Sequence, residues 1–195
     1  MREQAQLIKT YTQEKIQSIR KLHSESKRRA VLATLRRGAG REPGEAPEAW
    51  GIVLDRMPYK LYNSSGRLSA AEIAVYNALT LYALHQEGKD TQLQCMHHEG
   101  VSLGNAASRL GEGDDRERIW KRFLKVATAA DINEAVYFLR NIIQLLRTAG
   151  IGFDYGELAL DLYFLQFEKG ADNVRLKWGQ SFYHNADDSE NNINE

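Results

Sequence analysis

The chain has 195 residues, 43% of them apolar, enough to bury the core of one large domain or two small ones. Lys plus Arg equals Asp plus Glu at 26 each, so the molecule as a whole is no generic polycation. A single cysteine, Cys95, excludes an intramolecular disulfide and fits a reducing compartment.

Helical periodicity runs from end to end, and no alternating Val/Ile/Thr-rich stretch bounded by turn residues argues for a strand. The fold class expected is all-α, with roughly eight to nine helices and no sheet. Residues from about Gln4 to His23 read as a first helix, with Leu7, Ile8, Tyr11, Ile16 and Ile19 turned inward. The stretch from Arg28 to Gly38 reads as a basic amphipathic helix stopped by glycine. Val31, Leu32 and Leu35 can face a core, while Arg29, Arg36 and Arg37 come round on another side. Gly38-Ala39-Gly40-Arg41-Glu42-Pro43-Gly44-Glu45 breaks the chain.

Pro47 opens a short helix to about Arg56, with Trp50, Val53 and Leu54 for packing. Ser69 with Glu72 forms a capping box that opens a long helix closing at Gly88. Its apolar face includes Ile73, Tyr76, Leu79, Tyr82 and Ala83. Residues 89–100 read as a polar linker. Ser102 starts a short helix through Leu110, and Gly111-Glu112-Gly113 breaks it. Asp114 or Asp115 caps the next helix, which ends near Ala130. Asp131 with Glu134, and Asp154 with Glu157, repeat the capping pattern, and those helices close at Gly150 and Gly170. A last helix from about Ala171 to His184 carries Val174, Trp178, Phe182 and Tyr183. The organisation expected is an N-terminal helical bundle over 1–88, the linker 89–100, a C-terminal bundle over 101–184 and an acidic disordered tail over 185–195. Two bundles sharing one core fits the same pattern.

Charge is less even than its total. Up to Arg41 there are eleven Lys or Arg against three Glu, a net of +8, whereas Asp187, Asp188, Glu190 and Glu195 make the tail acidic. That asymmetry points to a polyanion partner. Arginine forks suit phosphate oxygens, and a helix holds several in register. A solvated face fits the basic helix as well. A second basic stripe, Arg118, Lys121, Arg122 and Lys125, follows i, i+3, i+4, i+7 spacing and shares one face. Ile119, Trp120, Phe123, Leu124 and Ala127 fill the other sides, facing a core. Arg140 and Arg147 lie seven apart on an otherwise apolar helix. A snorkelling side chain, an internal ion pair, with Asp161 for example, and a binding role all fit them.

Cys95-Met96-His97-His98-Glu99 carries metal-ligand chemistry, yet His23, His85 and His184 are scattered and supply no second cluster, so no metal and no cofactor is expected. Neither Gly-x-Ser-x-Gly, His-Glu-x-x-His nor a Walker loop occurs, and most carboxylates read as caps or surface positions, so no enzyme is expected. The polar start Met1-Arg2-Glu3-Gln4-Ala5-Gln6 predicts no secretory signal. No apolar run nears the ~18 residues that span a bilayer. A cytoplasmic protein with no membrane partner follows.

In order along the chain, Arg29 to Gly38 with Gly40, Pro43 and Trp50, then Ser102-Leu103-Gly104-Asn105-Ala106, Arg122-Phe123, Leu139-Arg140, Asp154-Tyr155 with Leu158, Asp161 and Leu162, and finally Val174, Trp178 and Phe182-Tyr183 form a pattern. It resembles the CasB family, the small subunit of the type I-E CRISPR effector complex Cascade. The resemblance implies an all-helical, non-enzymatic protein. It implies two copies in the complex, touching the backbone subunits and the large subunit. It also implies a role in holding target DNA and the displaced single-stranded non-target DNA once guide RNA has paired. Arg36 and Arg37 match the family's basic pair, and Arg122 and Arg140 its later arginines. Arg29, Arg118, Lys121 and Lys125 extend that nucleic-acid-binding set by face geometry alone. The helix before Ser24, the stretch 89–100 and the tail match no family pattern. A purely structural subunit, its basic faces meeting neighbouring proteins, is the alternative.

Overall fold

In the computed structural model, which describes residues 2–191, the helix starts marked by the sequence are built from side-chain caps. Ser24 accepts from the Lys27 amide to open α2 (Glu25–Arg37), which follows α1 (Arg2–Arg20). Pro47 sits in the first turn of α3 (Pro47–Leu54). The capping box is complete at α4 (Ala70–His85): Ser69 Oγ accepts from the Glu72 amide, and the Glu72 carboxylate accepts from the Ser69 amide. Ser102 caps α5 (Leu103–Ser108), Asp131 caps α7 (Ile132–Ala149), and Asp154 caps α8 (Tyr155–Phe164). Several boundaries differ from expectation; α4, for one, ends at His85 rather than closing at Gly88. Glu112, rather than Asp114 or Asp115, is the cap residue of α6 (Gly113–Ala127). The helix expected to close at Gly170 ends at Phe164, and α9 (Glu168–Asn191) begins before that glycine. A Cβ at Gly170 would stand 2.5 Å from the Phe164 carbonyl oxygen, so Gly170 lets the two helices meet at a tight corner rather than ending one. Because α9 runs to Asn191, only 192–195 of the expected tail lies outside the described residues.

Among the described residues there is no strand; one isolated bridge joins His97 to Phe153. No helix is long and apolar enough to cross a membrane.

Helix α4 lies at the centre. It is buried over nearly its whole circumference, from Ala74 through His85, rather than on one stripe. A helix apolar all round needs neighbours on every side. The jacket comes from both halves of the chain: α1, α2 and α3 on one part, α7 and α8 on the other. α1 also packs directly on α8. Ile8 and Ile16 therefore share one apolar cluster with Leu158, Leu162 and Phe182. The stretch 89–100 is tied into that body. Gln86 donates to the Gln94 carbonyl and accepts from the Met96 amide at 2.9 Å each. His97 Nδ1 accepts from the Tyr155 amide at 3.1 Å. His97 is thus a structural acceptor, and no metal-sized group of His, Cys, Asp or Glu occurs among the described residues.

Two buried polar contacts lock the interior. Asp161 accepts from Trp178 Nε1 at 2.7 Å and from Lys177 at 2.8 Å. An internal pair of Asp161 with Arg140, one of the readings the sequence left open, is not the one formed: α9 packs beside α8 and delivers Lys177 instead. Burial pushes the Asp161 carboxyl up, with Lys177 and Trp178 pulling against it. His85 Nδ1 meets the Tyr155 hydroxyl at 2.9 Å, and burial lowers the imidazole pKa to about 3.

The unfolded chain takes up a proton at His85 near pH 6.5, whereas the fold keeps the ring neutral far below that. Stability is therefore present above pH 6.5 and is lost as pH falls below it. One such group contributes up to about 1.4 kcal/mol per pH unit. Urea unfolding between pH 6.5 and 5 should show this decline, and His85→Gln should flatten it.

Candidate nucleic-acid interface

The C-terminal turn of α2 is fixed from beneath. The buried Tyr76 hydroxyl, its pKa pushed up to about 12 by burial, donates to the Gly38 carbonyl at 3.1 Å. Two residues on, Gly40 adopts φ +78°, and a Cβ there would stand 2.5 Å from the Arg140 guanidinium. The turn thus needs glycine twice, for its backbone and for the arginine lying against it. Arg140 Nε is buried and has no hydrogen-bond partner, and no carboxylate pairs with this side chain among the described residues.

Glu87, just past the end of α4, holds two arginines. Arg36 reaches Glu87 Oε1 at 2.8 Å, and Arg147 binds Glu87 Oε2. All three side chains are partly exposed, at 38%, 29% and 38% for Arg36, Arg147 and Glu87. Two arginines, one from α2 and one from α7, therefore share one carboxylate. Arg29 lies two turns earlier on the same side of α2 as Arg36 and is paired with Glu25 on the surface. Arg37 departs from this group: it turns toward α3 and pairs with Glu48 at 3.0 Å, fully in solvent.

The α6 stripe is exposed as its spacing predicted, with Ile119, Phe123, Val126 and Ala127 facing inward. Leu124, expected in the core, is 42% exposed, because α6 lies at the rim and only its inner flanks meet α7, α5 and α9. Arg118 pairs with Asp115 at 2.9 Å and Lys121 with Glu117 at 2.7 Å, both on the exposed surface of their own helix. Arg122 is exposed and carries no ion pair among the described residues. The Lys125 ammonium stands 5.9 Å over the Phe138 ring of α7.

Helix α7 connects the two sets. At about 100° per residue its buried stripe is Val136, Leu139, Ile143 and Leu146. Arg140 and Arg147 fall on one flank of that stripe, toward α2 and Glu87. Phe138 falls on the other, toward Lys125 and α6. Helix α7 thus lies between the two basic lanes. Every carboxylate pair in them is exposed or half-exposed, a kind of contact worth roughly 0–1 kcal/mol, so an incoming phosphate can compete for the cations. Sequence reasoning left Arg147 and Glu87 outside the site. The seven-residue step from Arg140 pointed to Arg147; nothing local pointed to Glu87.

The family model described as "CRISPR-associated protein Cse2 (CRISPR_cse2)" matches residues 31–183. The fold is similar to the crystal structure of CasB from Thermobifida fusca, with 34% identity, a TM-score of 0.75, and 91% of this chain and 98% of that one covered. It is also similar to the crystal structure of a CRISPR-associated protein of the Cse2 family from Thermus thermophilus. There the identity is 24%, the TM-score 0.65, and the coverage 89% and 97%. No curated protein sequence matches the chain. With four-fifths of its length matched by the family model and nearly all of a CasB structure overlaid on it, the chain belongs to the Cse2 family of CRISPR-associated proteins, the CasB family that its sequence resembles.

Proposed function

We propose that the protein is a non-catalytic small subunit of type I-E Cascade that holds nucleic acid on the two basic lanes beside α7. Its partners are the backbone subunits, the large subunit and a second copy of itself. Its nucleic-acid ligands are the guide RNA with its target DNA and the displaced non-target strand of the R-loop. The observation that supports this most is the sharing of the single carboxylate of Glu87 by Arg36 and Arg147, with Arg140, against Gly40 on the same flank of α7, matched by no carboxylate among the described residues. That leaves a local excess of cations on a protein of zero net charge.

The chemistry suits the task. Opening an R-loop exchanges one duplex for another of nearly equal stability, so modest backbone contacts tip the balance. Phosphate contacts position a strand without reading its bases. Lanes diluted by carboxylates bind weakly in free solution and usefully once docking raises the effective concentration of the strand.

If five phosphates are neutralised, log K for a single strand against log salt should slope about −3.5. A slope near zero for the isolated protein overturns the reading. Replacing Arg36, Arg122 and Arg140 with alanine should weaken strand binding while far-ultraviolet circular dichroism stays helical; unchanged binding rejects the site. Glu87→Gln removes the competing carboxylate. It should tighten strand binding several-fold at low salt and steepen the slope by about 0.7, one further phosphate contact. Binding unchanged in that variant would mean that Arg36 and Arg147 touch no phosphate.

A further inference from the structure

The basic residues leave one strip of surface between them, the outer face of α7. Opposite the buried stripe come Tyr137, Asn141, Gln144 and Thr148, all exposed and uncharged, with the exposed Glu134 one turn before Tyr137, its carboxylate accepting from the Ala130 amide. Tyr137 is 61% exposed. Its ring sits edge-on to Phe138, with centroids 5.4 Å apart and planes at 69°. Phe138 in turn carries the Lys125 ammonium at 5.9 Å. The Tyr137 hydroxyl makes no hydrogen bond among the described residues, and the core does not use the ring. On the opposite flank, three residues along the helix, stands Arg140, which has no ion pair among the described residues.

Resting on the nucleic-acid reading above, we propose that Tyr137 is a base-stacking platform that makes this face selective for single-stranded nucleic acid. A strand crossing α7 meets cations at both edges and an aromatic ring between them. Stacking on an aromatic side chain tolerates any base, because every base has a π-face. It requires an unpaired base, which a duplex does not offer. Asn141 and Gln144 add hydrogen-bonding groups without charge, and the carboxylate one turn before the ring, Glu134, is drawn back to the Ala130 amide. Phe138, pinned between α6 and α7, holds Tyr137 from behind. This ordering limits what the ring gives up in side-chain freedom when a base settles on it.

The test compares three probes at one salt concentration by fluorescence anisotropy: a thymidine oligomer, an abasic strand of the same length, and a duplex. Tyr137→Ala in the full-length protein should weaken binding of the thymidine oligomer about tenfold. It should leave the abasic strand and the duplex unaffected, and leave the salt slope unchanged. Tyr137→Phe, which keeps the ring, should bind as the unaltered protein does. Equal binding of the thymidine oligomer by the unaltered protein and Tyr137→Ala overturns the platform while leaving the phosphate lanes standing. It would leave the exposed ring as a contact for a protein neighbour. Equal losses on all three probes also overturn it, since they would report a disturbed surface rather than lost stacking. If the unaltered protein binds none of the probes, the nucleic-acid reading itself falls, and this inference with it.

Discussion

Burial of α4 on every side is the constraint from which the rest of the molecule follows. From Ala74 to His85 no face of this helix meets water, so its neighbours must close around it. The chain cannot do so with its first half alone. α7 and α8 complete the jacket, and α1 reaches across to α8. Polar groups inside are tolerated where they find a partner nearby: Asn77 donates to the Ile73 carbonyl at 2.9 Å, Thr80 to the Asn77 carbonyl at 3.1 Å, and His85 meets the Tyr155 hydroxyl through Nδ1, although its Nε2 has no hydrogen-bond partner among the described residues. The same enclosure positions the surface cations. α4 ends beside the last turn of α2 and the flank of α7. Glu87, the first half-exposed acid beyond it, is therefore where Arg36 and Arg147 meet.

What the sequence could disclose was local. Ser69 with Glu72, Asp131 with Glu134 and Asp154 with Glu157 announce helix starts because a cap and its amide lie three residues apart. The α6 stripe was legible for the same reason, since helical spacing alone puts its four cations outside. Gly170 misled, because a glycine that admits a close approach and a glycine that ends a helix look alike until the partner, the Phe164 carbonyl, is in place. Leu124 misled because an apolar residue beside Phe123 reads as core, although at the rim only one side of the helix is covered. The partners of Arg36, Arg140 and Asp161 were out of reach. Glu87, Gly40 and Lys177 are brought to them by tertiary packing, and no spacing rule connects them.

Zero net charge is compatible with a polyanion-binding surface when the neutralising carboxylates lie on that surface rather than beneath it. Arg29, Arg37, Arg118 and Lys121 are all matched by acids in open water, and such pairs exchange partners at little cost. The buried acids are otherwise engaged: Glu72 in a cap, Asp154 on the Gly156, Glu157 and Gly100 amides, Asp161 on Trp178 and Lys177. Interior charge thus holds the fold together, and exterior charge is left exchangeable.

Glu87 stands at the boundary between these two populations, and it acts on the proposed function in opposite directions. By bridging Arg36 and Arg147 it holds α2 and α7 in a fixed relation, so the guanidinium groups are ordered before any ligand arrives, which lowers the entropy lost on binding. By occupying them it also competes with phosphate. The half-exposure of all three side chains settles the balance. Water already screens the pairs, so displacing the carboxylate costs little, while the backbone order imposed by Gly38, Tyr76 and Gly40 persists without it. A carboxylate buried at the same point would have held the arginines permanently. With no carboxylate there, the arginines would be freer to meet phosphate but less ordered beforehand. A partly solvated acid is the arrangement that keeps the cations together and still releases them.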